Sequence, residues 1–83
     1  MLSFEDARQI VKKSTPEGQV VATFGWENDS HYLVPLLIGD DWASGRRIVD
    51  KLSGEWHALQ IFKALEVAES MNKIGDWSKA PAC

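Results

Sequence analysis

His31 and His57 are the side chains that titrate near neutrality in their unperturbed state, and Asp29, Asp40 and Asp41 are the carboxylates that could pair with them in acid–base chemistry. Their spacing builds no HxH or HExxH motif, and the single cysteine, Cys83, forms no Cys–His cluster. Both histidines are therefore expected as surface strand residues. None of the serines sits in a GxSxG elbow, and the glycines form neither a GxGxxG fingerprint nor a phosphate-binding loop. No catalytic residue, metal ligand or cofactor site is expected, and the chain reads as a non-enzyme.

The residues that offer contact rather than chemistry are Asp40, Asp41 and Trp42, where two acids adjoin an indole in the segment GDDWASG. Such a group joins charge complementarity to a large apolar anchor. Trp77, in the tail DWSKAPAC, is the fourth candidate for protein binding. The 83-residue chain holds four tryptophans, Trp26, Trp42, Trp56 and Trp77, more than one small core needs. Some of them are expected at the surface, as a patch for a partner or as a cap on a sheet face that no helix covers.

Those side chains need a scaffold, and the length allows one domain, residues 1–83, with 76–83 as a loose tail. Hydrophobic residues make up 45% and charged residues 25%, the balance of a folded globular chain. Nine Lys and Arg are scattered among twelve Asp and Glu for a net charge of -3, with no basic block to track phosphates, so nucleic acid is not an expected partner. One cysteine allows no internal disulfide, and the N-terminus carries acids where a signal peptide needs basic residues. No apolar stretch reaches membrane-spanning length. A cytoplasmic protein without membrane contact is expected.

Ser3 ahead of Glu5 and Asp6 predicts a helix start, and Phe4, Ala7, Ile10 and Val11 fall on one helical stripe that ends before Pro16. Gln19 to Trp26 alternates with period two, with Val20, Ala22, Phe24 and Trp26 on one face. His31 to Ile38 follows as a second strand, in which Pro35 demands a bulge or an edge. Gly39 to Gly45 reads as the longest loop. Arg46 to Asp50 and Glu55 to Leu59 form a hairpin across KLSG, with Gly54 at the position that tolerates a left-handed backbone. Beyond Leu59, the residues Ile61, Phe62, Leu65, Ala68 and Met71 form a helical stripe that Gly75 ends. The expected fold is α+β: an N-terminal helix, a four-stranded antiparallel sheet and a C-terminal helix, with both helices on one face.

RIVDKLSGEW, Arg47 to Trp56, resembles the VDK-x-TG-E-V hairpin of the bacterial immunity protein 35 (YrhB-like) family, and SHYLVPLLI resembles the aromatic-rich strand before it. The resemblance implies a small bacterial domain in which a helix precedes antiparallel strands and a last helix. It implies an immunity protein that neutralises a toxin by occluding it. SFEDARQIVKKSTPEGQVV followed by VDKLSGEW is also similar to PepSY domains, which are associated with peptidase inhibition. Neither resemblance brings a catalytic residue. The expected partner is thus another protein, a toxin or a peptidase, or else a second copy in a homodimer with a structural role. A small-ligand cavity lined by Trp26, Tyr32 and His57 is the remaining alternative.

Overall fold

The computed structural model describes residues 1–39 and 41–80, apart from the side chains of Ser44 and Lys79. Helix α1 (Phe4–Lys13) starts as expected: the Ser3 hydroxyl accepts the Asp6 N–H and the Asp6 carboxylate accepts the Ser3 N–H, a reciprocal cap. The strands are β1 (Val20–Val21), β2 (Phe24–Glu27), β3 (His31–Ile38), β4 (Asp41–Asp50), β5 (Trp56–Gln60) and β6 (Asn72–Gly75), with α2 (Ile61–Ala68) between the last two. A short 3-10 turn, Trp77–Lys79, follows β6.

The fold is α+β with an antiparallel sheet, but the expected four strands become six among the described residues, in the order β5-β4-β3-β2-β6, with β1 also paired to β3. Three local readings account for the difference. The first expected strand is interrupted at residues 22–23, leaving β1 and β2 to pair with successive parts of β3. Most of the expected loop is strand, because Trp42 and Asp41 pair with Leu37 and Ile38. Helix α2 stops at Ala68, short of the expected Gly75, and residues 72–75 pair with β2 instead.

Pro35 lies in β3, a central strand, and its missing N–H is accommodated where the β3–β4 register shifts between Pro35 and Leu37. In the β4–β5 hairpin, the Asp50 N–H donates to Glu55 and the Gly54 N–H donates to Asp50. Gly54 has φ +76°, the left-handed conformation that its place in the turn demands.

The helices occupy opposite faces of the sheet, not one. Side chains alternate along a strand and cross-strand partners share a face, so Tyr32, Val34 and Leu36 point one way and Leu33 the other. Ala7 and Val11 of α1, flanked by Phe4 and Ile10, pack with Tyr32, Val34, Leu36 and Val49. Ala64 of α2 and Met71 pack with Leu33, joined by Trp26, Ile48 and Leu59. The α2 stripe is also rotated from the expected one: Phe62 is 82% exposed and Leu65 48%, while Ala64 is fully buried.

Candidate functional site

Helix α2 covers the β4–β5 side of its face, and aromatic rings cover the rest. Phe24 and Trp26 stand two residues apart on β2, so both project from this face. The Trp42 ring meets Phe24 edge-on at 5.4 Å and lies at 6.4 Å from Trp26, near-parallel to it. From the 3-10 turn, the Trp77 ring reaches 4.6 Å from Phe24 and 5.0 Å from Trp26. Two of the four expected contact residues, Trp42 and Trp77, are therefore brought into one cluster although they lie far apart in sequence.

The other two do not enter it. Asp41 is exposed at the start of β4, where its carboxylate accepts the N–H of Trp42 at 2.8 Å. Asp40 lies outside the described residues. Trp56, by contrast, projects from the opposite face, beneath the guanidinium of Arg47 at 5.2 Å.

The residue that changes the character of the cluster is Arg46. It lies on β4 with its guanidinium 5.0 Å from the centre of the Trp42 ring and 5.5 Å from that of Trp26, and only 4% of it is exposed. No Asp or Glu pairs with it among the described residues. Its Nε and Nη1 are buried without an acceptor, and so is Nε1 of Trp77. Each such orphan donor costs about 1–3 kcal/mol relative to a satisfied one. Burial works against the Arg46 charge and lowers its pKa from the ordinary value, while the ring faces return part of the cost as cation–π attraction.

A second cation lies at the rim. Lys73, exposed on β6, holds its ammonium 4.8 Å from the centre of the Trp77 ring, and no carboxylate pairs with it among the described residues. The site thus combines three partly exposed indoles, a buried arginine and a peripheral lysine. Its buried unsatisfied groups are all donors, so it is chemically equipped for an acceptor that the described residues do not provide.

Elsewhere, the histidines lie on the sheet as expected. Nδ1 of His31 is 2.7 Å from the Ser30 hydroxyl and Nε2 is 3.7 Å from Asp50, while His57 is exposed on β5. Among the described residues no three His, Cys, Asp or Glu side chains gather in a metal-binding group. The proposed cavity of Trp26, Tyr32 and His57 does not form, because Trp26 and His57 project from the α2 face and Tyr32 from the α1 face. A groove of about 450 Å3 does open between α1 and β1, lined by Arg8, Lys12, Glu17 and Val20 among others. Its Arg8 is already engaged, donating to the Ala22 carbonyl and to Glu5 at 2.7 Å each. No helix among the described residues is long and apolar enough to cross a membrane.

Comparison with family models, curated proteins and solved structures gives no match for this chain.

The sequence pointed to Trp42 and Trp77 by residue type and missed Arg46, Trp26 and Lys73 as their companions. One available signal was the pair Arg46-Arg47 inside a strand: adjacent strand residues face opposite ways, so a two-sided sheet must receive a guanidinium on each face.

Proposed function

We propose that the chain is a small non-enzymatic protein-binding module, an immunity-type protein that neutralises a toxin by occluding its surface. The observation that carries this reading is the indole cluster of Trp26, Trp42 and Trp77, with Arg46 buried against Trp26 and Trp42 and unpaired among the described residues. Trp and Arg dominate the residues that supply binding energy at protein interfaces, where a partner completes hydrogen bonds and excludes water. The likeness of the Arg47 to Trp56 hairpin to the immunity family supports a toxin as the partner, and the cluster supports this face as the one it covers. A cytoplasmic setting fits both.

The test is co-expression with the product of the adjacent gene. The expected result is relief of that product's toxicity, a stable complex on a sizing column, and at least tenfold weaker binding for Trp42→Ala with an unchanged circular dichroism spectrum. If a neighbouring peptidase is bound and inhibited instead, the PepSY alternative replaces the immunity reading. If neither kind of neighbour binds, the protein-binding reading fails.

A further inference from the structure

Arg46 poses a problem that the described residues do not solve. A guanidinium is permanently charged and carries five N–H donors in a rigid fork. Here Nε and Nη1 are buried without acceptors, the rings beside them supply only π-faces, and no acid of the described chain approaches. The indole Nε1 of Trp77, in the same cluster, adds a third orphan donor. Trp26, Trp42 and Trp77 are each only partly buried, so the guanidinium lies one indole layer beneath the surface.

We propose that this cluster is an anion site that takes a carboxylate from an acidic segment of the protein partner. The inference rests on the protein-binding reading and names what the partner must bring. A carboxylate is flat and accepts in the plane of the arginine fork, which suits a guanidinium flanked by the flat rings of Trp26 and Trp42. It carries a single negative charge, the amount that the buried Arg46 requires. Lys73, at the rim over Trp77, adds attraction for an acidic approach without entering the buried part. A phosphate monoester carries up to two charges, one more than the buried Arg46 balances.

The experiment uses the whole chain labelled with 15N and follows the Nε–H signal of Arg46 and the Nε1–H signal of Trp77. The titrants are sodium acetate, sodium phosphate, and the capped peptides acetyl-Gly-Glu-Gly-amide and acetyl-Gly-Gln-Gly-amide, all at ionic strength held constant with sodium chloride. Acetate and the Glu peptide are expected to shift both signals saturably, with the Glu peptide at least threefold tighter because its backbone also contacts indole. The Gln peptide is expected to shift neither. Arg46→Met removes the charge and the fork while keeping a long apolar side chain, and it is expected to abolish the Trp77 shift. Lys73→Met is expected to weaken the Glu peptide severalfold.

Absence of any saturable shift in the unmodified chain overturns the site without recourse to a variant. An equal response in Arg46→Met also overturns it. Acetate binding more tightly than the Glu peptide assigns the site to a free small acid, and tighter phosphate binding assigns it to another ligand class; either overturns the partner carboxylate. The two readings remain separable. A partner complex as tight with Arg46→Met as with the native chain removes the site and leaves protein binding, whereas acetate shifts in a chain that no neighbour binds remove protein binding and leave an anion site.

Discussion

The Arg46 guanidinium lies 5.0 Å from the Trp42 ring centre and 4% of the residue is exposed, yet no carboxylate of the described chain pairs with it. A buried charge is ordinarily paired, because removal from water costs more than dispersion against a ring returns. Folded domains are in general stable by only about 5–15 kcal/mol, and in a small one of 83 residues such an arrangement is a sizeable concession. It is the kind of local conflict that folded proteins keep at binding sites.

Arg46→Met is therefore expected to be at least as stable as the native chain. The variant loses cation–π attraction of about 0.5–2 kcal/mol and is relieved of orphan donors that cost about 1–3 kcal/mol each. Urea denaturation with an unchanged slope measures this. Global unfolding of Arg46→Met would make Arg46 a structural keystone and remove the case for a residue held in readiness for a partner.

Gly75→Ala is expected to be among the most damaging small substitutions. Gly75 has φ +89°, and a Cβ there would lie 2.5 Å from the Thr23 carbonyl oxygen and 2.9 Å from Cα of Phe24, both backbone atoms that cannot turn aside. Left-handed strain of about 1–2 kcal/mol and overpacking of about 1–3 kcal/mol add at this one position. Gly18→Ala is the control, since Gly18 shares the positive φ, +87°, but its Cβ would meet nothing within 4 Å. Thermal melts in which the two variants fall equally would mean that the β2–β6 contact is looser than its geometry.

Features governed by local chemistry were legible in the sequence: the Ser3 cap, the Pro35 bulge and the left-handed Gly54 each follow from what one or two residues can do. Features imposed from a distance were not. GDDWASG contains little strand propensity, and its strand state comes from Leu37 and Ile38 across the ladder. NKIG becomes β6 only because β2 offers an open edge. The placement of the helices was readable in principle, because the unbroken apolar run YLVPLLI, Tyr32 to Ile38, signals a strand buried on both faces. Phe62 and Leu65 misled for the opposite reason, being apolar side chains that α2 leaves outside. For the site, residue type singled out Trp42 and Trp77, but only the fold brings them to Trp26 and places Arg46 among them.

Glu27→Gln is expected to destabilise the chain by about 1–3 kcal/mol, and Lys51→Met by much less. Lys51 is 7% exposed, with its ammonium 3.0 Å from Glu27 and 4.6 Å from the centre of the Tyr32 ring. Removing the carboxylate's charge leaves a buried ammonium without its counter-ion, whereas replacing the lysine leaves a partly exposed Glu27 that water can solvate. The figure is set below that of a fully buried pair because Glu27 retains access to water. Denaturation of the two variants and of the double variant closes the cycle. Equal losses for both single variants would show that the pair acts as an exposed one.

Acid is expected to weaken the fold through two carboxylates that hold backbone N–H groups. The Asp50 carboxylate accepts the N–H of Leu52 at 2.8 Å and of Ser53 at 2.9 Å, and these bonds, Ser53's first, hold its pKa below the ordinary value. Asp6, accepting the Ser3 N–H at 3.0 Å, is lowered for the same reason. A carboxyl group depressed in the folded state contributes stability that is fully present above its unfolded value, about 3.9, and is lost as pH falls through the lower folded value. The melting temperature is thus expected to decline from about pH 5 downward. Asp50→Asn keeps an accepting oxygen but no charge, so its melting temperature is expected to be lower near neutrality and to fall less steeply in acid. Asp6→Asn repeats this at the helix cap, and the double variant is expected to show the shallowest acid dependence of the three. A native chain whose melting temperature stays level between pH 5 and pH 2.5 would show that neither cap depends on its charge.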